Sequence, residues 1–220
     1  MAVEVVVEAG RRRAFARAVD WPGWCRQEKD EDAALAALEQ YRGRYLAAVA
    51  KAGGAAPVSG VSVVERIAGS AVTDFGALGV VAKADLAPLP EAESRRFGEL
   101  LDAAWRAFDE ALASTPSRRR WTKPQRGRSP GAIALHVLET ELMHAAGLTG
   151  SPLRKPISAP AEDQLVEVHS RMREWLRHAP AGRATPVRRH GFEWTPRFAV
   201  HRSAWHALDH AWELEDRVAG

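Results

Sequence analysis

The stretch RSAWHALDHAWELEDR, Arg202–Arg217, sets His206 and His210 four residues apart in a helical pattern. On a helix, residues at that spacing project from the same side, one turn apart, so one rigid backbone brings two imidazoles within reach of one ion. Two readings stand: metal ligands, or two polar residues on an amphipathic helix. Val200, Ala204, Ala207, Ala211 and Leu214 mark the packed side of this helix, and the two histidines border it. A buried imidazole must satisfy both ring nitrogens, and a shared cation is an economical partner for two of them. His136, in GAIALHVLETE, lies on the same side of an earlier helical segment as Ile133, Val137 and Thr140 and is the natural third ligand. Three neutral imidazoles leave the ion's charge uncompensated and coordination positions open. That is the style of a catalytic site, where an open position takes water and lowers its pKa toward about 7. Imidazole donors suit zinc, nickel, iron(II) or copper, with zinc taken first.

Two carboxylates are candidate catalytic groups beside such an ion. Glu139 stands three residues after His136, and Glu213 three after His210. Each could orient an imidazole or act as a general base, and each could equally form a salt bridge, for instance Glu213 with Arg217. The remaining histidines read as surface or capping residues. His144 lies two turns beyond His136, His201 is turned off the face of His206, His169 and His178 fall on a helix that reads as partly exposed, and His190 falls in the loop RRHGFEW. Trp205 and Trp212 read as packing residues. Cys25, beside a turn, is not a nucleophile candidate, and as the single cysteine it excludes an intramolecular disulfide and a cysteine-rich zinc site.

The elements that must carry these residues change character along the chain. VEVVVEA is a β-branched run of strand length, GRRR a turn, AFARAV a second alternating segment, and DWPGW a tight turn around Pro22 and Gly23. KDEDAALAALEQYRGRYLAAVAKAGG reads as one helix, with Asp30–Asp32 at its start and Gly53 and Gly54 at its end, and SVVERIA returns as a strand. From Leu89 onward the pattern predicts four long helices within 90–114, 129–148, 158–179 and 195–218, with Gly147 near the end of the second. Pro90, Ser129 with Pro130, and Thr195 with Pro196 stand at three of their starts. Loops of moderate length between four helices predict an antiparallel bundle. The expected fold class is α+β, a small α/β domain over 1–88 followed by a bundle over 89–220, with the boundary in GALGVVAKADLAPLP.

The net charge is +3 over 220 residues, which does not argue for a nucleic-acid partner. The basic run Arg118–Arg128 reads as a solvated loop or as an anion site on the way into the helix of His136, with only Trp121 interleaved as a stacking partner. No apolar run is long enough to span a bilayer, and MAVEVVVEAG lacks the basic start of a signal peptide, so a cytoplasmic location and no membrane partner are expected.

HVLETE on the second long helix and WHALDHAWELEDR on the last resemble the DinB superfamily over roughly Leu89–Val218. Its members are four-helix bundles, and many bind a divalent metal through one histidine of the second helix and an HxxxH pair on the last. The resemblance implies His136, His206 and His210 as the ligands. Characterised members include thiol S-transferases that use low-molecular-weight thiols and a maleylpyruvate isomerase. FARAVDWPGWCRQEKDEDAALAALEQYRGRYL in turn resembles HicB-type domains, which run strand, turn, strand, helix. The expectation is a metal-dependent transferase or hydrolase acting on a small molecule, with a low-molecular-weight thiol as one substrate class. The HicB-like part would then serve as a structural lid or as a dimerisation module giving a homodimer. The alternative is a non-enzymatic binding or regulatory protein whose HicB-like part engages a partner.

Overall fold

Alternating valines in the first strand put two different sets of side chains on the two faces of a sheet, and both faces are covered. In the computed structural model, which describes residues 2–50, 52, 59–115, 128–150, 160–178, 187–189 and 192–219, β1 (Ala2–Ala9), β2 (Ala14–Ala18), β3 (Cys25–Glu28) and β4 (Ser59–Ala68) form a sheet of order β3-β2-β1-β4. β1 pairs antiparallel with β2 and parallel with β4. The register sets Glu8 opposite Phe15 and Val6 opposite Arg17, so these four share one face; Val5 and Val7 share the other with Ala18 and Ala16. The turn before β3 depends on Gly23, whose φ of 92° lies in the left-handed region and whose missing Cβ leaves room for Leu208.

The helix expected over 29–54 is broken in two. α1 (Glu31–Gln40) starts at Asp30, whose carboxylate accepts from the Ala33 N–H, and α2 (Arg42–Val49) follows after Tyr41. Gly43, a weak helix former, sits just past the break. A five-residue helix, α3 (Ala71–Phe75), is capped by Ser70 and stopped by Gly76. It is fastened to the sheet by Glu8, a buried carboxylate that accepts from Thr73 Oγ1 and the Gly79 N–H. Burial pushes the Glu8 carboxyl up, and these hydrogen bonds oppose it only in part. The following segment is held by Arg17, which donates to Asp85 at 2.5 Å, with both side chains buried.

The four long helices are α4 (Glu91–Ser114), α5 (Pro130–Thr149), α6 (Ala161–Arg177) and α7 (Pro196–Ala219); Gly147 lies near the end of α5, which Gly150 caps. A short hairpin of β5 (Val187–Arg189) and β6 (Phe192–Trp194) precedes α7. Around the bundle the neighbours are α4 with α7, α7 with α5, α5 with α6 and α6 with α4. Their directions correct the antiparallel expectation. Glu93 meets Arg197 and Phe97 meets His201, so α4 and α7 run the same way. Glu141 meets Ser203 and Gly147 meets Trp194, so α5 opposes α7; Ser94 meets Leu176 and Trp105 meets His169, so α6 opposes α4. α5 and α6 therefore run the same way. The expectation assumed that each helix turns straight back onto the next; instead α4 and α5 lie across the bundle, as do α6 and α7, and the consecutive neighbours α5 and α6 run parallel.

α7 is the shared wall. Its inner side closes the bundle, and its outer side packs on the sheet, where Phe15 meets Trp205 edge-on and Arg26 pairs with Asp209 at 2.9 Å. One hydrophobic core runs from Val5 and Phe15 through α7 to Leu165 and Met172. Among the described residues, no helix is long and apolar enough to cross a membrane.

Candidate metal centre

His206 and His210 project from α7 toward α5 because α7 is alanine-rich there: Ala204, Ala207 and Ala211 let the neighbouring elements approach closely on the remaining sides. α5 presents His136 opposite them. The three rings stand with centroids 5.1, 5.1 and 4.6 Å apart, and one ligand atom from each lies within 4.8 Å of the others. These three histidines could hold a metal ion.

The donor set fits a small divalent cation. His136 Nε2 and His206 Nε2 are 3.2 Å apart. Two nitrogens each about 2.0 Å from a tetrahedral ion are separated by roughly 3.3 Å. Both rings are held neutral, as ligands must be. Burial pushes the His206 pKa well below its ordinary value, followed by the charges of His210 and His144. Burial also lowers that of His136, with Arg128 and His210 next. His210 has its Nδ1 2.7 Å from Glu213 Oε2, which leaves Nε2 as the free nitrogen; Glu213 is in turn paired with Arg217. His210 first, through its hydrogen bond, holds the Glu213 carboxyl below the usual range. That arrangement orients a ligating imidazole and makes it a better donor. His206 Nδ1, by contrast, is buried without a hydrogen-bond partner among the described residues, so packing alone orients that ring.

The trio opens on a cleft of about 480 Å3 between α3, α5 and α7, a size suited to a small molecule. α3 supplies Val72 and Phe75, α5 supplies Thr140 and Met143, and α7 supplies Arg202 and Trp205. Phe75 is 87% exposed at the cleft, the most exposed large apolar side chain among the described residues. Burial lowers the Arg202 guanidinium to about 10, opposed by the charge of Glu8.

The structure brings together four of the five candidate site residues: the three histidines and Glu213. Glu139 is exposed on α5 and does not line the cleft, although its charge acts on His136. Three histidines read as surface or capping residues are buried. His201 Nε2 bonds the Val19 carbonyl at 3.0 Å, His169 stacks on Trp105 at 3.8 Å, and His144 lies against Glu141 with its ring 5.8 Å from that of His206. Each sits at a helix–helix or helix–sheet contact that only the packing order defines. His178 is exposed, as expected. His190 and the run from Arg118 to Gly127 lie outside the described residues. Cys25 is buried, and burial pushes its thiol far up, which suits an inert side chain. No family model, no curated protein and no solved structure matches this chain.

Proposed function

We propose that this protein is a metal-dependent enzyme acting on a small molecule, a DinB-like bundle whose HicB-like N-terminal part forms one wall of the active-site cleft. The observation that carries this reading is the gathering of His136, His206 and His210 at the floor of a cleft large enough for a small substrate. Three neutral protein ligands, with no fourth among the described residues, fit a catalytic ion better than a structural one. A bound divalent ion would supply Lewis acidity and an open coordination position in the cleft.

The chain's own residues do the rest. Glu213 holds the His210 ring in one orientation, and Arg217 holds Glu213. Val72 and Trp205 give the cleft apolar walls, and Phe75, exposed at the cleft, offers a bound substrate a further apolar surface. Arg202 places a positive charge on the wall of the cleft, which favours a substrate with a developing or permanent negative charge. A low-molecular-weight thiol is the substrate class to try first, since a thiolate is a soft anion. The test is a screen of metal-loaded protein against several such thiols with electrophilic acceptors, and against esters and amides, with and without a chelator. Turnover that requires the metal and falls in His136→Ala supports the reading; turnover that persists in that variant, or inactivity of the fully loaded protein with every substrate, overturns it.

A further inference from the structure

Behind the three histidines, Glu141 of α5 is a fully buried carboxylate with both oxygens engaged. Ser203 Oγ donates to Oε2 at 2.7 Å, and His144 Nδ1 lies 3.1 Å from Oε1. Burial would raise this carboxyl, but His144, then His169 and Ser203, outweigh it and keep it ionised. A carboxylate only accepts, so the contact places a hydrogen of the His144 ring on Nδ1, and the neutral ring then carries a lone pair on Nε2. That nitrogen is buried with no hydrogen-bond partner among the described residues, on a ring that is 1% exposed and lines the cleft. A fixed acceptor without a donor is costly in a folded protein unless something that enters the site supplies one.

We infer that His144 Nε2 is the hydrogen-bond acceptor for the molecule that occupies the cleft, which therefore carries an O–H or N–H donor on a small, mostly apolar frame. Glu141 and Ser203 are positioning residues that lock His144 in the accepting tautomer. The apolar frame follows from Val72, Phe75, Met143 and Trp205 around the same space. His144 is not one of the three residues whose ligand atoms converge, so its role is recognition and not metal binding. The inference rests on the cleft being the substrate site, but not on the metal.

Phenol and anisole are a matched pair of probes, alike in shape and differing in the donor. Binding of each to the full-length protein is measured by calorimetry after chelation and again with zinc added, alongside nitrogen-15 spectra of the histidine rings. The expected result is a His144 ring protonated on Nδ1, a shift of its Nε2 signal with phenol, and phenol binding about tenfold tighter than anisole. In His144→Phe the preference disappears while metal content is unchanged. A ring protonated on Nε2, equal affinities, no phenol binding, a preference that survives in His144→Phe, or metal lost from that variant would each overturn the inference. The spectra of the unaltered protein decide the tautomer even if the variant fails to fold. Because the chelated protein is measured separately, failure of the metal reading shows as absent metal with the phenol preference intact.

Discussion

His136 Nε2 on α5 and His206 Nε2 on α7 face one another across 3.2 Å, although 70 residues separate them in sequence. Two neutral imidazoles can share one hydrogen at that distance, or both can turn lone pairs to a cation. The second arrangement draws in His210, whose Nδ1 is already committed to Glu213. A shared ion is therefore the simplest occupant for all three.

Glu213→Gln should keep the fold and weaken the metal site. The amide can still accept from His210, but it removes the charge that makes the imidazole a stronger donor and breaks the pair with Arg217. The expected loss of metal affinity is about 10- to 100-fold, read by competition with a chelating dye. An unchanged affinity would show that Glu213 serves only to bridge Arg217.

Acid should destabilise the fold through His169, which is not one of the three candidate ligands. Burial lowers its pKa from 6.5 to about 4, with Glu141 opposing and Arg173 assisting. The unfolded chain thus takes up the proton first. Stability is full above about pH 6.5, falls between about 6.5 and about 4, and levels off below. This one group accounts for roughly 3 kcal/mol of the fall. His169→Phe keeps the stack on Trp105 and should remove that share from urea unfolding curves taken across the window. An acid limb as steep as that of the unaltered protein would contradict the assignment.

Arg17 and Asp85 are both buried, and Asp85 also accepts from the Ala82 N–H. Asp85→Ala leaves a guanidinium buried without its counter-charge and frees the segment that follows α3. The expected cost is about 3–5 kcal/mol in chemical denaturation. A cost below about 1 kcal/mol would mean that water reaches Arg17 and that the pair does not anchor this wall.

The histidine trio was legible because its signal is local: the spacing of His206 and His210 is a helical repeat, and His136 sits in an equally periodic segment. Glu213 was legible for the same reason. β1 and β4 followed from valine-rich runs, β2 from an alternating segment and the four long helices from apolar stripes, while β3, CRQE, carries no such run and was implied only by the resemblance to HicB-type domains. What the sequence hid is set by packing order. α7 reads as amphipathic, yet it is buried on both sides: His201 reaches the end of β2 at Val19, and Arg197 is covered by Ala87, Pro88 and Glu93. His144 was placed by its distance from His136 along one helix. Because α5 opposes α7, the ring of His206 lies beside both. No periodicity marks the five residues of α3 as a wall of the cleft, since that depends on Glu8 reaching Thr73 from another element.

Metal content is the most direct test of the central claim. Protein purified without a histidine tag is analysed by elemental mass spectrometry, together with His206→Ala and the triple alanine variant at His136, His206 and His210. About one divalent ion per chain in the unaltered protein, lost in His206→Ala and absent from the triple variant, is the predicted result. Stoichiometric metal retained by the triple variant, with its fold intact by circular dichroism, would place the ion elsewhere and contradict the account.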